Sequence, residues 1–187
     1  MKAQNLVLLL PLAVLVACGR AEAPPPPPAA PAAAVVEAAP ATAATVLAGA
    51  SGSSVAGALQ LVASNDGVTL TGELSGLAPN TEHGFHVHEI GDCSAPDAKS
   101  AGDHFNPDHA EHGGPTSAAK HLGDIPNITS DATGQAAVNA TIARATLRDG
   151  GPNDLAGRAV IVHAKRDDYA TQPSGDSGDR IACGVVR

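Results

Sequence analysis

The sequence predicts an all-β domain, an antiparallel sandwich or barrel interrupted by two long loops. Three observations lead to this. Short runs of alternating apolar and polar residues recur with turn signals between them, as strands with one wet face do. Large aromatics are scarce, with no Trp, one Tyr and two Phe in 187 residues. A core must then be assembled from Val, Leu, Ile and Ala, which suits many short strands better than a helical bundle. No stretch holds a convincing helical period, and no internal repeat is present.

The first residues lie outside this domain. "MKAQNLVLLLPLAVLVACGR" has a positive start at Lys2, an apolar run from Leu6 to Val16 and small residues before a cysteine. That is a secretory signal, too short for a good membrane span. "LVAC", Leu15 to Cys18, resembles the lipobox of bacterial lipoproteins, which implies residues 1–17 as signal peptide and lipid on Cys18. An ordinary signal peptide cut after Ala17 or beyond is the alternative. Acyl chains contribute roughly 0.8 kcal/mol per buried methylene, so several on Cys18 would hold the protein at a membrane. Gly19 after the cysteine favours the outer membrane if the host is Gram-negative. Residues 18–44, with Pro24 to Pro28 in one run, have nothing to bury and read as an extended tether. The folded domain is then expected over residues 45–187, in the cell envelope on the periplasmic side.

The strands follow in order. Thr45–Ala48 and Val55–Ala63 are two runs, and Asn65–Gly67 is a hairpin turn. Val68–Leu77 alternates, Ala78–Asn80 turns, and His83–Ile90 is the next strand. From Gly91 to Asn127 the alternation stops, and so long a loop must be functional or pinned. Strands resume on either side of a turn at Asp131–Gly134, then at Arg158–Lys165, and a second loop precedes the last strand, "IACGVV". Cys93 and Cys183 remain as an even pair in an exported chain and are expected to be joined. Closing so long a loop stabilises by up to about 4 to 5 kcal/mol in the chain-entropy model. The net charge of −8 argues against nucleic acid, which needs a basic surface.

Candidate ligands concentrate in and around the first loop. His86 and His88 are two apart in a strand, so both point to one side while Phe85 and Val87 point to the other. With His163, at the end of "AVIVH", they make an imidazole set suited to copper, which accepts nitrogen donors in both oxidation states. His104, His112, His121 and Asp124 offer three nitrogens and one oxygen, a closed tetrahedral set suited to zinc. His109, in the Asp-rich "PDHAEH", reads as a solvated histidine. Tyr169 is ambiguous between packing and chemistry.

"GFHVHEIGD", "HFNP", "HGGP", "HLGD", "VIVHAKRDD" and "GDRIACGV" together resemble copper/zinc superoxide dismutase, in order and over nearly all of the domain. The resemblance implies an eight-stranded antiparallel Greek-key β-barrel and a catalyst that converts superoxide to oxygen and hydrogen peroxide. It implies one copper per subunit on His86, His88, His104 and His163, and one zinc on His104, His112, His121 and Asp124. His104 corresponds to the family's bridging histidine, which also carries a proton to the product. Asp167 corresponds to an aspartate that orients a copper and a zinc histidine, Arg180 to the arginine beside the copper, and Cys93–Cys183 to the family's disulfide.

Superoxide is an anion and the protein is acidic, so a local positive field from Arg180 and Lys165 is expected at the channel mouth, with Asp179 weakening it. The spacing of Cys93 is more like that of bacterial members, and the second loop lacks the acidic and lysine cluster of animal enzymes. Dimer contacts therefore do not transfer, and a homodimer stays open. A copper donor protein is a further candidate partner. Two other classes compete: a metal reservoir, which need not keep the bridging position and Arg180, and a zinc hydrolase, which needs an open coordination position.

Overall fold

The computed structural model describes residues 39–187; the signal peptide, Cys18 and most of the tether lie outside the described residues. The strands are β1 (Thr42–Gly49), β2 (Ala56–Ser64), β3 (Gly67–Ser75), β4 (Glu82–His83), β5 (Phe85–His88), β6 (Ile128–Thr129), β7 (Ala136–Ala143), β8 (Ala159–His163) and β9 (Arg180–Val185), with one 3-10 turn at Lys99–Ala101. β4 and β5 are separated only by Gly84. There the main chain stays tied to the β8 end, the Gly84 N–H donating to the Lys165 carbonyl and the Gly84 carbonyl accepting the His163 N–H. The run 82–88 is thus one strand in effect, and eight antiparallel strand runs result, as expected.

β1 begins three residues before the expected start of the domain. Ala43, Thr45 and Leu47 are buried in alternation, so residues 42–44 extend a strand pattern that their alanine-rich composition hid. The strand expected over His83–Ile90 ends at His88; beyond it the N–H groups of Glu89 and Ile90 donate to the Asp103 and Ala101 carbonyls of the first loop, and the Ile90 side chain is exposed.

β2 and β3 join through the two residues Asn65 and Asp66, with Ser64 opposite Gly67. The hydrogen-bonded order is β5-β8-β9-β1-β2-β3-β7, with β4 and β6 pairing separately. β3 thus crosses to β4 and β5, β6 returns along β4, and β7 comes back beside β3, which is a Greek key closed around one core. β1 turns the corner: it pairs with β2 along Thr42–Leu47 and with β9 at Ala48 and Gly49.

The core lies between the two halves. Leu47, Leu59, Leu61, Val68, Leu70 and Leu74 from one side meet Phe85, Val87, Val160, Val162 and Ala182 from the other. Each Leu, Val or Phe among them contributes roughly 1.5–3 kcal/mol by leaving water, and the many aliphatics make up for the scarcity of aromatics. Side-chain alternation then sends His86 and His88 of β5, and Ile161 and His163 of β8, to the outer side of their sheet. The two long loops cover that side, so β5 and β8 are buried along their whole length. A second, small cluster of Ala50, Ala98, Ala101, Ala159, Ile161 and Cys183 packs under the first loop, with Cys93 against it.

Candidate metal centre

The first loop reaches the centre by adding itself to the free edge of β5. The Val87 N–H donates to the Gly123 carbonyl at 2.9 Å, the Phe105 N–H to the Val87 carbonyl at 2.8 Å, and the Gly123 N–H to the Phe105 carbonyl at 2.8 Å. Any Cβ at Gly123 would collide with the Val87 carbonyl. These ladder-like bonds bring His104 opposite His88 and Asp124 opposite His86. A loop that the sequence leaves without elements is pinned by main-chain pairing to the strand that carries the first two histidines.

The residues form two groups. The candidate ligand atoms of His86, His88, His104 and His163 lie within 4.8 Å of one another, and so do those of His104, His112, His121 and Asp124; all seven residues are buried. The His86 and His104 ring centroids are 3.9 Å apart, and His104 lies 5.4 Å from His112 and 5.5 Å from His121.

Hydrogen bonding decides which nitrogen of each ring is free. His88 Nδ1–H donates to the Gly102 carbonyl at 2.9 Å and His163 Nδ1–H to the Gly178 carbonyl at 3.1 Å, while His86 Nε2–H donates to Asp167 Oδ2 at 2.8 Å. A carbonyl can only accept, so the protons sit on those nitrogens. His86 Nδ1, His88 Nε2 and His163 Nε2 are left as buried lone pairs with no partner, and His104 Nε2 joins them. Four unpartnered imidazole nitrogens facing one another cost free energy unless something accepts from them. That donor set fits copper.

On the other side, His104 Nδ1, His112 Nδ1 and His121 Nδ1 come within 2.8, 3.0 and 3.3 Å of Asp124 Oδ1. Asp124 Oδ2 is turned away and accepts the N–H groups of Gly113 and His121. Three nitrogens and one oxygen thus converge, a set that fits zinc with no position left open. His104 faces both groups, one nitrogen to each.

The electrostatics of the copper group agree with metal ligation. Burial pushes His86, His88, His104 and His163 below the ordinary imidazole value, His104 to about 4. All four are neutral at neutral pH, the form that binds a cation. For His112 burial pulls down, but the hydrogen bonds to Asp124 and Asp167 outweigh it and raise the ring to about 9. Burial alone would raise Asp124 and Asp167, yet the histidines around them hold both carboxyls well below the usual range.

Asp167 ties the groups together: Oδ2 accepts from His86, and Oδ1 accepts from His112 Nε2–H at 2.9 Å. Asn127 holds Asp167 in turn, donating from Nδ2 to its carbonyl and accepting its N–H at Oδ1, both at 2.9 Å. Nothing in the sequence marks Asn127, because a single loop asparagine has no pattern of its own. Arg180 donates to the carbonyls of Ala98 at 2.8 Å and Gly102 at 2.7 Å. It lines a cavity of about 400 Å³ together with His88, His104 and His163. Gly102 therefore holds Arg180 and His88 through one oxygen.

The expectation that Lys165 stands at the channel mouth fails. Lys165 does not line that cavity; its ammonium pairs with Asp176 at 3.4 Å on the surface. Asp179 shares a neighbouring cavity with Arg180, and so do Asp97 and Asp103, which the sequence did not single out. His83 is buried with Nδ1 donating to the His163 carbonyl at 2.8 Å, a structural role. His109 is exposed at the rim of the metal cavity. Tyr169 accepts the Asn127 N–H at its hydroxyl, and its ring lies against Gly114, so it packs. Cys93 and Cys183 are bonded, with Cα atoms 5.8 Å apart.

An all-β barrel with an imidazole set and a closed three-nitrogen, one-oxygen set meeting at one ring defines a two-metal redox protein. The copper/zinc superoxide dismutase family model matches residues 55–186. The Cu-Zn superoxide dismutase 1 of Aquifex aeolicus is 43% identical over 134 residues, 70% of this chain and 79% of that one. The Cu-Zn enzyme of Candida glabrata is 39% identical over 150 residues, 77% and 96% of the two chains. A crystal structure of a SOD-like protein from Bacillus subtilis superposes with a TM-score of 0.69 at 36% identity, covering 75% of this chain and 95% of its own. The chain belongs to the copper/zinc superoxide dismutase family. It is an oxidoreductase that dismutes superoxide with copper and zinc.

Proposed function

We propose that the protein dismutes superoxide in the bacterial cell envelope, tethered by lipid on Cys18 at the periplasmic side, with His104 shared between copper and zinc. The observation that supports the shared ring most directly is its orientation: Nδ1 points to Asp124 Oδ1 at 2.8 Å while Nε2 is buried among the unpartnered nitrogens of the copper group. His86, His88 and His163 complete one site; His112, His121 and Asp124 complete the other. Copper, when bound, supplies one-electron chemistry in both directions, so two superoxide ions and two protons become one oxygen and one hydrogen peroxide.

The chain's own residues do the rest. Arg180, anchored by two carbonyls, presents a fixed positive charge where a small anion enters. Asp167 keeps the Nε2 protons on His86 and His112, which leaves their Nδ1 atoms free to ligate. His104 Nε2 is the one nitrogen of the copper group whose ring is also held on the zinc side, so it can take up a proton and pass it to the product without losing its position.

The closed zinc set, with Asp124 as its fourth ligand, argues against a hydrolase. A reservoir would bind both metals without turnover. Metal content measured together with inhibition of superoxide-dependent cytochrome c reduction decides: two metals with inhibition are expected, and two metals without it overturn the reading. Acylation is read separately, from the mass of the N-terminal peptide. A dimer and a copper donor protein are candidate partners of the same unit.

A further inference from the structure

We propose that Gln172 is a positioning residue for zinc that grips His112 by its main chain; this rests on reading His104, His112, His121 and Asp124 as the zinc set. His112 comes from the first long loop and Gln172 from the second, 60 residues away. The Gln172 amide makes both bonds that a neighbouring strand would make: Oε1 accepts the His112 N–H at 2.8 Å, and Nε2 donates to the His112 carbonyl at 2.9 Å. Among the described residues neither main-chain group of His112 has another partner.

The ring of the same residue is held from the same loop. His112 Nε2–H donates to Asp167 Oδ1 at 2.9 Å, five residues before Gln172. Main chain and side chain of one ligand are thus fixed by two points on one short segment, and its Nδ1 is left facing Asp124 Oδ1 at 3.0 Å.

The segment has its own support. The Gly175 N–H donates to the Thr171 carbonyl at 2.7 Å, the Asp168 N–H to the Gly175 carbonyl at 2.9 Å, and Thr171 Oγ1–H to Asp168 Oδ2 at 2.6 Å. None of these bonds involves a ligand residue, so the turn presents Gln172 ready-made. Without the amide, the "HGGP" stretch that starts at His112 has glycines at its next two positions, and little local stiffness would keep the ring aimed. A ligand that must be ordered at the moment of binding weakens affinity, and losing an outer partner of a ligand typically does so by about 10- to 100-fold.

Both side-chain hydrogen bonds of Gln172 go to His112, and none goes to a copper ligand. The free nitrogens of the copper ligands are set by Gly102, Gly178 and Asp167, so the effect falls on zinc.

The test uses the full chain with Gln172→Met, which keeps length and bulk without the amide, and Gln172→Glu, which keeps an acceptor for the His112 N–H and loses the donor. Zinc and copper affinities are measured by chelator competition, beside melting of the metal-free proteins. Zinc binding is expected to weaken about 10- to 100-fold in Gln172→Met and by less in Gln172→Glu, with copper affinity within about threefold of wild type. A zinc affinity within about twofold of wild type in both variants overturns the proposal, and so does an equal fall for both metals, which would mean general loosening of the loop. If Gln172→Met does not fold, Gln172→Glu alone decides by the same comparison. Failure of the wild-type protein to bind zinc would instead remove the ligand assignment on which the proposal stands.

Discussion

Removing the disulfide should destabilise the domain and disarm Arg180, two effects that can be separated. Cys93 and Cys183 close a loop with a sequence separation of 90. In the chain-entropy model a loop of that length restricts the unfolded chain by about 4.6 kcal/mol. For a domain near 150 residues, each kcal/mol moves the melting temperature by about 3 °C. Cys93→Ser with Cys183→Ser should therefore lower the Tm of the metal-free protein by about 10–15 °C, the upper value applying if the entropic effect is realised in full. Calorimetry without metals is the right assay, because metal loss would otherwise add to the shift. The bond also holds down the segment whose Ala98 and Gly102 carbonyls grip Arg180. The metal-loaded variant should then turn over more slowly at temperatures where it remains folded. A Tm fall below about 3 °C would refute the loop-closure reasoning, and an unchanged turnover would refute the link to Arg180.

Two further outcomes follow from the centre. Arg180→Ala should keep both metals and lower turnover by roughly 10-fold or more at low salt, with a flatter dependence on ionic strength, because it removes the fixed cation at the cavity wall; stopped-flow decay of superoxide at several salt concentrations measures this, and an unchanged rate would take Arg180 out of the mechanism. The metal-free protein should lose stability as pH rises from about 6.5 towards 9. His112 is raised in the folded state to about 9 from an ordinary 6.5, so its contribution is complete below 6.5 and gone once pH passes 9. Urea midpoints in the presence of chelator check the sign, and a midpoint that rises through this window contradicts it.

Much of this protein is legible locally. Alternation places Phe85 and Val87 in the core and His86 and His88 on the other side, whatever the rest of the chain does, because side-chain direction in a strand depends only on parity. The sequence alone starts the first strand too late, since Ala43 and Ala44 look like more of the alanine-rich tether until a buried partner surface is known. The long first loop shows no pattern because its order comes from pairing with β5 at Val87, Phe105 and Gly123, and main-chain pairing leaves no trace in side-chain type. Asn127 and Gln172 were invisible for a related reason: each acts on a main chain 40 or 60 residues away, and nothing near them in sequence registers that.

The sequence by itself determined the all-β class, the two kinds of donor set, the cysteine pair and the acidic balance of the chain, all of which depend on residue type and short-range spacing. Only the tertiary structure decided which nitrogen of each ring is free, that Lys165 stands apart from the cavity, and that Asp97 and Asp103 gather beside Arg180. Those outcomes are set by carbonyls and carboxylates brought from distant parts of the chain. A hydrogen bond acts over about 3 Å, so it is decided where the folded chain puts its partners and not by their order.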